Sequence, residues 1–388
     1  LQGVATGVYG ISAPTEFSVK MQLNEAFAPF LGLLSIPSCS ILPSDSEAAI
    51  KDQSFFEKPF GTGPFLVEER ERDGFILLTA NSNYHGNKPQ IKHIDLKIIP
   101  EVMKAEMDFE SGNLDLLQLY PSNYDRFAEK PEYKTSIHNV PAMNVFYIGF
   151  NNQKPPFNDV RVRIALNKLL NREAIIQAIY KNRAVVAHGS IPPGIIGYSK
   201  DAPGYKYEPE SGKSLLKEAG YGPDHPLSFD LFQKSSQAAF EITQLIQGEL
   251  RPHGVQVNLK PMEWSALKDA VNKGEAQAFY MSWFGDYPDG ENFLFPLFHS
   301  NNWGSGGNRA RFKDEAVDKL LQEALKIQDG GMREAAYDKI NRLVFSQAPW
   351  LYLWHSDESY LLGNRVEKMS FSPLFPVEKG LSIRIKPE

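Results

Sequence analysis

The chain contains almost no cysteine and no run of residues long and apolar enough to cross a bilayer. Cys39 is the single cysteine among 388 residues, which excludes an internal disulfide and any cysteine-based zinc site. The most apolar stretch, residues 27–42, is interrupted by Pro29, Pro37 and several serines, so it is too broken to form a transmembrane helix. No signal peptide precedes the opening LQGVATGVYG. We therefore expect a protein that is not exported, or a mature or trimmed chain.

Clustered basic charge and the common catalytic motifs are also missing. The net charge is −6 and the lysines and arginines are scattered, which argues against a nucleic-acid-binding surface. The eight histidines are all more than five residues apart and form no HExxH motif, so a local metal site is unsupported. There is no GxSxG motif of a hydrolase. We expect a protein that is not an enzyme and that has no metal, no cofactor and no nucleic-acid partner.

What the sequence does contain is typical of a soluble α/β protein. Hydrophobic residues make up 42% of the chain and charged residues 23%, and 388 residues favour two lobes over one. Helical and strand patterns alternate after NNQKPPFND at 151–159, a stiff segment that marks an internal boundary. Asn158 or Asp159 is predicted to cap the helix that follows. An aromatic strand is predicted at Ala348–Trp354, with Trp350 and Trp354 in the core.

The most informative stretch is FYMSWFGDYPDGENFLFPLF, residues 279–298. Its first six residues have the aromatic content of a buried strand, and Pro288 and the glycines then end that strand in an acidic turn. Asp286 is thereby placed at the end of a strand among ring faces, an arrangement that suits a ligand ammonium group. Two other interpretations remain open: Asp286 and Asp289 only shape the turn, or they form a catalytic carboxylate pair.

Several segments in order resemble the bacterial extracellular solute-binding proteins of the peptide/nickel class, which are receptors of ABC transporters. The resemblance covers nearly the whole chain and is carried by FGTGPF at 60–65, FNNQKPPFNDVRVRIALN at 150–167, SGKSLLKEAGY at 211–221, WFGDYPDGENFLFPLF at 283–298, RFKDEAVDKLLQEAL at 311–325 and APWLYLW at 348–354. The resemblance implies an α/β fold of the type II periplasmic-binding-protein kind. Two lobes joined by a hinge would comprise residues 1–150 plus 355–388 and residues 151–354. Relative to the family, the N-terminal part of the first lobe is expected to be missing.

The resemblance also implies which residues contact the ligand. Asp286 would pair with the α-ammonium group of a peptide, and Ser282 and Phe284 would offer main-chain hydrogen bonds to the peptide as an added strand. Trp264 and Trp283 would form the walls of side-chain pockets, and Tyr280 belongs to the same predicted ligand-binding set. Asp289 remains a turn residue in this interpretation.

The function implied is a substrate-binding receptor of an ABC importer that binds di- to oligopeptides between two lobes. Its partner would be a membrane permease. We expect a monomer, located in the periplasm or outside the cell, with a possible lipid anchor in its precursor. The alternative is the same fold binding a nickel chelate, haem, sugar or opine, and a further one is an enzyme built on a binding-protein scaffold.

Overall fold

The computed structural model describes residues 9–43, 46–202, 204–373 and 380–387. The strands are β1 Ile11–Thr15, β2 Ser18–Met21, β3 Phe65–Glu71, β4 Phe75–Ala80, β5 His93–Lys97, β6 Leu116–Leu119, β7 Ile137–Pro141, β8 Asn144–Phe150, β9 Ala184–Val186, β10 Leu227–Lys234, β11 Val255–Met262, β12 Ala278–Phe284, β13 Trp350–Leu362, β14 Val366–Lys368 and β15 Arg384–Ile385. The helices are α1 Phe30–Leu33, α2 Ser46–Lys51, α3 Ser54–Glu57, α4 Val102–Glu110, α5 Pro121–Ala128, α6 Val160–Leu169, α7 Arg172–Ile179, α8 Pro209–Glu218, α9 Gln237–Leu250, α10 Trp264–Lys273, α11 Glu291–Phe298, α12 Glu315–Ala324 and α13 Gly330–Ser346. This mixture of helices and strands confirms the predicted α/β class. None of the helices in the described ranges has the length and apolar content needed to cross a membrane.

The chain divides into two compact units. Unit 1 comprises residues 1–36, 146–170 and 187–352, and unit 2 comprises residues 37–145, 171–186 and 353–388. The strands β8 and β13 each contain a boundary between the units. The segment NNQKPPFND at 151–159 lies within unit 1.

Unit 1 is built on a sheet whose strands follow the order β11, β10, β12, β8. The strands β10 and β11 run parallel from Leu227 opposite Val255 to Lys234 opposite Met262. β12 is parallel to β10 on its other side, with Leu231 opposite Ala278 and Phe232 opposite Phe279. These three strands therefore end at one edge of the sheet, where ligands of open α/β sheets bind.

The core of unit 1 is dominated by aromatic rings. Trp350 stacks on Tyr147 with ring centroids 3.6 Å apart, and Phe150 stacks on Phe157 at 4.4 Å. Trp350 in this unit and Trp354, which belongs to unit 2, are both essentially inaccessible to solvent, which confirms the prediction that they lie in the core. Ring stacking of this kind adds to the stabilisation that comes from burial of apolar area.

Asparagine side chains fix the main chain that follows β8. The Asn152 amide donates to the carbonyl oxygens of Phe150, Ala310 and Pro349 at 2.7, 3.1 and 3.3 Å. The Asn151 amide donates to the Gly274 carbonyl oxygen at 2.9 Å. These side chains satisfy carbonyl groups from distant segments, so the asparagines of the NNQKPPFND segment have a structural role in unit 1.

Unit 2 contains the far half of β13, which pairs antiparallel with β6, β7 and β9. A small core packs on this sheet and consists of Phe109, Leu117, Leu119, Phe127 and Leu361. A separate antiparallel sheet has the strand order β3, β4, β5.

One predicted element is longer in the structure. The strand predicted at Ala348–Trp354 continues as β13 to Leu362, because its second half is paired on unit 2. The residues that follow the acidic turn, to which the sequence assigned no element, form the helix α11 with Pro296 inside it. The cap of α6 is Asp159, whose carboxylate accepts the main-chain N–H of Arg161.

Candidate functional site at the carboxyl edge of the unit 1 sheet

The strand β12 becomes progressively more exposed toward its carboxyl end. Ala278 to Met281 are buried, Ser282 and Trp283 are partly accessible, and the side chain of Phe284 is 51% exposed. The pairs between β10 and β12 end at Phe232 and Phe279, so Ser282 to Phe284 extend beyond those pairs. The predicted strand is thus confirmed, and its last three residues lie at the edge of the sheet.

Three of the aromatic rings at this edge are in contact. Phe146 on β8 stacks on Tyr280 with centroids 6.4 Å apart, and it meets Phe284 edge-to-face at 6.2 Å. Trp283 is adjacent, and its indole N–H is inaccessible and has no hydrogen-bond partner among the described residues. Buried indole N–H groups usually have a partner, but because this N–H is inaccessible a ligand could bond to it only after the surrounding side chains moved.

Trp264 lies at the same edge but on a different element. It is the first residue of α10, which follows β11, and its side chain is 43% exposed. The ammonium group of Lys268 lies 5.4 Å from the centroid of its ring, within the range of a cation–π contact. Trp264 and Phe284 therefore present two exposed aromatic surfaces beyond the carboxyl ends of parallel strands.

Asp286 follows β12 directly and is exposed. Its main-chain N–H donates to the Asn292 side-chain oxygen at 3.0 Å. Its carboxylate makes neither a hydrogen bond nor an ion pair with any part of the chain that the structure describes. A carboxylate in this state is able to accept hydrogen bonds from a cationic group without first losing an internal partner.

Asp289, only three residues further on, has a different environment. It is buried, its carboxylate lies 3.3 Å from the guanidinium group of Arg333 on α13, and it also accepts the main-chain N–H of Glu291 at 3.0 Å. Asp289 therefore stabilises the turn and the first residues of α11. Its role as a turn residue is confirmed, and the two aspartates are not equivalent.

A buried acid behind the turn was not found from the sequence. Glu291, the first residue of α11, is only 7% exposed and accepts a hydrogen bond from the Tyr287 hydroxyl. Burial, together with the negative charge of Asp289, raises the pKa of Glu291 to about 7 although the Tyr287 hydrogen bond opposes this change. Burial and the charge of Glu291 raise the pKa of Tyr287 as well. The signal in the sequence is that Glu291 and Asn292 are the polar residues that open an otherwise apolar helix.

Within the described ranges, no group of three or more histidine, cysteine, aspartate or glutamate side chains is arranged to hold a metal ion. The site consists of an exposed carboxylate, exposed aromatic surfaces and the last three residues of β12, which lie beyond the pairs with β10.

Comparison with solved structures gives the class of fold. A periplasmic binding protein associated with an ABC transporter, from Helicobacter pylori and solved with the peptide STSA, superposes with a TM-score of 0.82 at 26% identity, covering 98% of this chain and 74% of that chain. The fold is that of the two-lobed periplasmic binding proteins, as expected from the sequence.

The family follows from the sequence comparison. The family described as bacterial extracellular solute-binding proteins, family 5, matches residues 3–305, and the chain belongs to this family. Heme-binding protein A of Haemophilus influenzae is 31% identical over 370 residues, 94% of this chain and 65% of that protein. The dipeptide-binding protein of Escherichia coli K12 is 32% identical over 348 residues, 87% of this chain and 64% of that protein. The chain thus spans about 65% of the length of these relatives.

Proposed function

We propose that this protein is the substrate-binding receptor of an ABC importer and that it binds peptides at the carboxyl edge of the unit 1 sheet. The observation that carries the proposal is the exposed Asp286 carboxylate, which has no hydrogen-bond or ion-pair partner in the described chain and follows the exposed Phe284 by two residues. The α-ammonium group of a peptide complements this carboxylate in charge and in hydrogen-bonding capacity.

The main chain of β12 supports a peptide as the ligand. Ser282 to Phe284 continue past the pairs with β10, so a peptide in extended conformation has a strand end to pair with. Hydrogen bonds of this kind give affinity without selecting a sequence, whereas Trp264, Trp283, Phe284 and Tyr280 supply surfaces for side chains. We keep the sequence-based expectation of two lobes, residues 1–150 plus 355–388 and residues 151–354, as part of this proposal.

The comparisons support the same ligand class. The relative from Escherichia coli is named as a dipeptide-binding protein, and the Helicobacter pylori structure contains a peptide. A membrane ABC permease as partner, a monomeric state, a periplasmic or extracellular location and a lipid anchor in the precursor belong to the proposal as well.

The test is calorimetric titration of the purified protein with Ala-Phe and with N-acetyl-Ala-Phe. We expect Asp286→Asn to weaken the binding of Ala-Phe by about 1.5 to 3 kcal/mol, because a hydrogen bond between two charged groups is lost. A matched control is Asp224→Asn, since Asp224 is also exposed but precedes β10 at the opposite edge of the sheet. Equal affinity of Asp286→Asn and wild type for Ala-Phe, or equal binding of the acetylated peptide, would contradict the assignment.

A second candidate ligand is haem, because the relative from Haemophilus influenzae is named as a heme-binding protein. The exposed rings of Trp264 and Phe284 would offer stacking surfaces to a porphyrin. Native mass spectrometry of the purified protein separates the two candidates, since a retained peptide and a retained haem differ in mass. Absorption at the Soret band on titration with haemin, together with no heat from Ala-Phe, would favour haem.

A further inference from the structure

Two hydrogen bonds attach the turn that carries Asp286 to α11. The two donors are consecutive residues of the turn, and the two acceptors are consecutive residues of the helix. Asp286 donates its main-chain N–H to the side chain of Asn292, and Tyr287 donates its hydroxyl to Glu291. Asn292 is 5% exposed and Glu291 is 7% exposed, so both acceptors are fixed inside unit 1. The position of Asp286 therefore depends on two buried side chains that do not themselves belong to the predicted ligand-binding set.

Close packing leaves the turn little room to move. A Cβ atom on Gly285 would lie 2.6 Å from the Phe293 ring, and one on Gly290 would lie 2.4 Å from the Ile196 carbonyl oxygen. The Tyr287 ring packs closely against Gly32, since a Cβ atom on Gly32 would lie 3.2 Å from that ring. A change in the Tyr287–Glu291 contact is consequently transmitted to Asp286, because neighbouring atoms block other rearrangements.

The charged and titratable groups near Glu291 lie in the acidic turn and on α13. The turn contributes Asp289 and Tyr287, and α13 contributes Arg333 and Tyr337, where Arg333 is paired with Asp289. His299, which follows the last residue of α11, lies 3.9 Å from Asp318 on α12 and is separated from Glu291 by the whole length of α11. The guanidinium group of Arg333 is thus already paired with the carboxylate of Asp289.

We propose that Glu291 and Asn292 are positioning residues for Asp286, and that the charge state of Glu291 is coupled to peptide affinity. This inference rests on the proposed function. When Glu291 is ionised, the Tyr287 hydroxyl donates to a carboxylate, and the additional negative charge favours a cationic ligand at the neighbouring turn. By linkage, a bound peptide ammonium favours the loss of the Glu291 proton.

The experiment measures the affinity for Ala-Phe between pH 5.5 and 7.5 in wild type and in Glu291→Gln. For a coupling of about fivefold, at the low end of the usual range, wild-type affinity rises about three- to fourfold over this interval beyond the change seen in Glu291→Gln. The variant retains the titration of the peptide itself, so the ratio of the two affinities isolates Glu291. Glu315→Gln is the matched control, because Glu315 is also the first residue of a helix but is exposed.

A second measurement uses the wild type alone, so it does not depend on whether a variant folds correctly. Calorimetry of the wild type at pH 6.5, in buffers of different ionisation enthalpy, should detect release of about 0.4 proton per bound peptide for the same coupling. Tyr287→Phe removes the donor and should move the midpoint of the affinity change to higher pH. Asn292→Ala should weaken Ala-Phe binding at every pH, whereas Asn292→Asp retains an acceptor oxygen and should weaken it less.

The outcomes separate the two proposals. If the wild type binds Ala-Phe but its pH profile is parallel to that of Glu291→Gln and no proton is released, the coupling is refuted while the peptide receptor stands. If the wild type binds no peptide at any pH, the proposed function fails and the coupling falls with it.

Discussion

The free energy of unfolding should depend on pH through one buried side chain, Glu291. Its carboxyl group has a pKa of about 7 in the folded protein, raised by burial, against 4.5 as its ordinary value. An acid whose folded pKa is raised binds a proton in the folded state that the unfolded chain has already lost. Its contribution to stability is therefore full below about pH 4.5 and is lost as the pH rises through about 7.

The magnitude follows from the two pKa values. Integrating the linkage relation between pH 5 and pH 8 gives a loss of about 2.5 kcal/mol from this group in the wild type. Glu291→Gln keeps the size of the side chain and cannot ionise, so it lacks this loss. The difference in unfolding free energy between variant and wild type should therefore move by about 2.5 kcal/mol in favour of the variant from pH 5 to pH 8.

The assay is urea denaturation at pH 5 and pH 8, followed by tryptophan fluorescence, for wild type, Glu291→Gln and Glu315→Gln. For each variant, the difference in unfolding free energy from wild type at pH 5 is compared with the same difference at pH 8. A cost of inserting the amide that does not depend on pH therefore cancels. Glu315→Gln should show no such pH-dependent difference. A difference between Glu291→Gln and wild type that stays constant within about 0.5 kcal/mol at the two pH values would refute the reasoning, since surface changes usually have effects of that size.

Two further substitutions test other parts of the structure. Asn152→Ala removes the amide that donates to three main-chain carbonyl groups. We expect the free energy of unfolding, measured by urea denaturation at pH 7, to fall by about 1 to 3 kcal/mol. A fall below about 0.5 kcal/mol would show that these hydrogen bonds do not stabilise the fold. Trp264→Ala removes an exposed aromatic surface, so calorimetry should show a larger loss of affinity for Ala-Phe than for Ala-Ala. An equal loss for both peptides would place Trp264 outside the side-chain pocket.

Local signals in the sequence predicted much of the fold. Asp159 was one of two residues expected to begin the helix after the 151–159 segment, and in the structure its side chain accepts the main-chain N–H of Arg161 in the first turn of α6. The strand ending at Phe284 was predicted from its aromatic content and its bounding glycine. These features depend on neighbours within a few residues, which is the range over which a sequence pattern is informative.

The surroundings of the acidic turn could not be predicted in the same way. Asp286 and Asp289 look alike in the sequence, but Asp289 is paired with Arg333, 44 positions later, whereas Asp286 is exposed. The contact of Tyr287 with Gly32 joins segments more than 250 positions apart. The length of β13 likewise depends on its pairing with β6 and β7, which no pattern within β13 indicates.

The central claim concerns a contact between the ammonium group of a peptide and the carboxylate of residue 286. A crystal structure of the protein with Ala-Phe measures that contact directly. The account predicts that the peptide nitrogen lies about 2.7 to 2.9 Å from a carboxylate oxygen of Asp286. A bound peptide whose amino group lies beyond 5 Å from that carboxylate, outside any hydrogen bond, would contradict it.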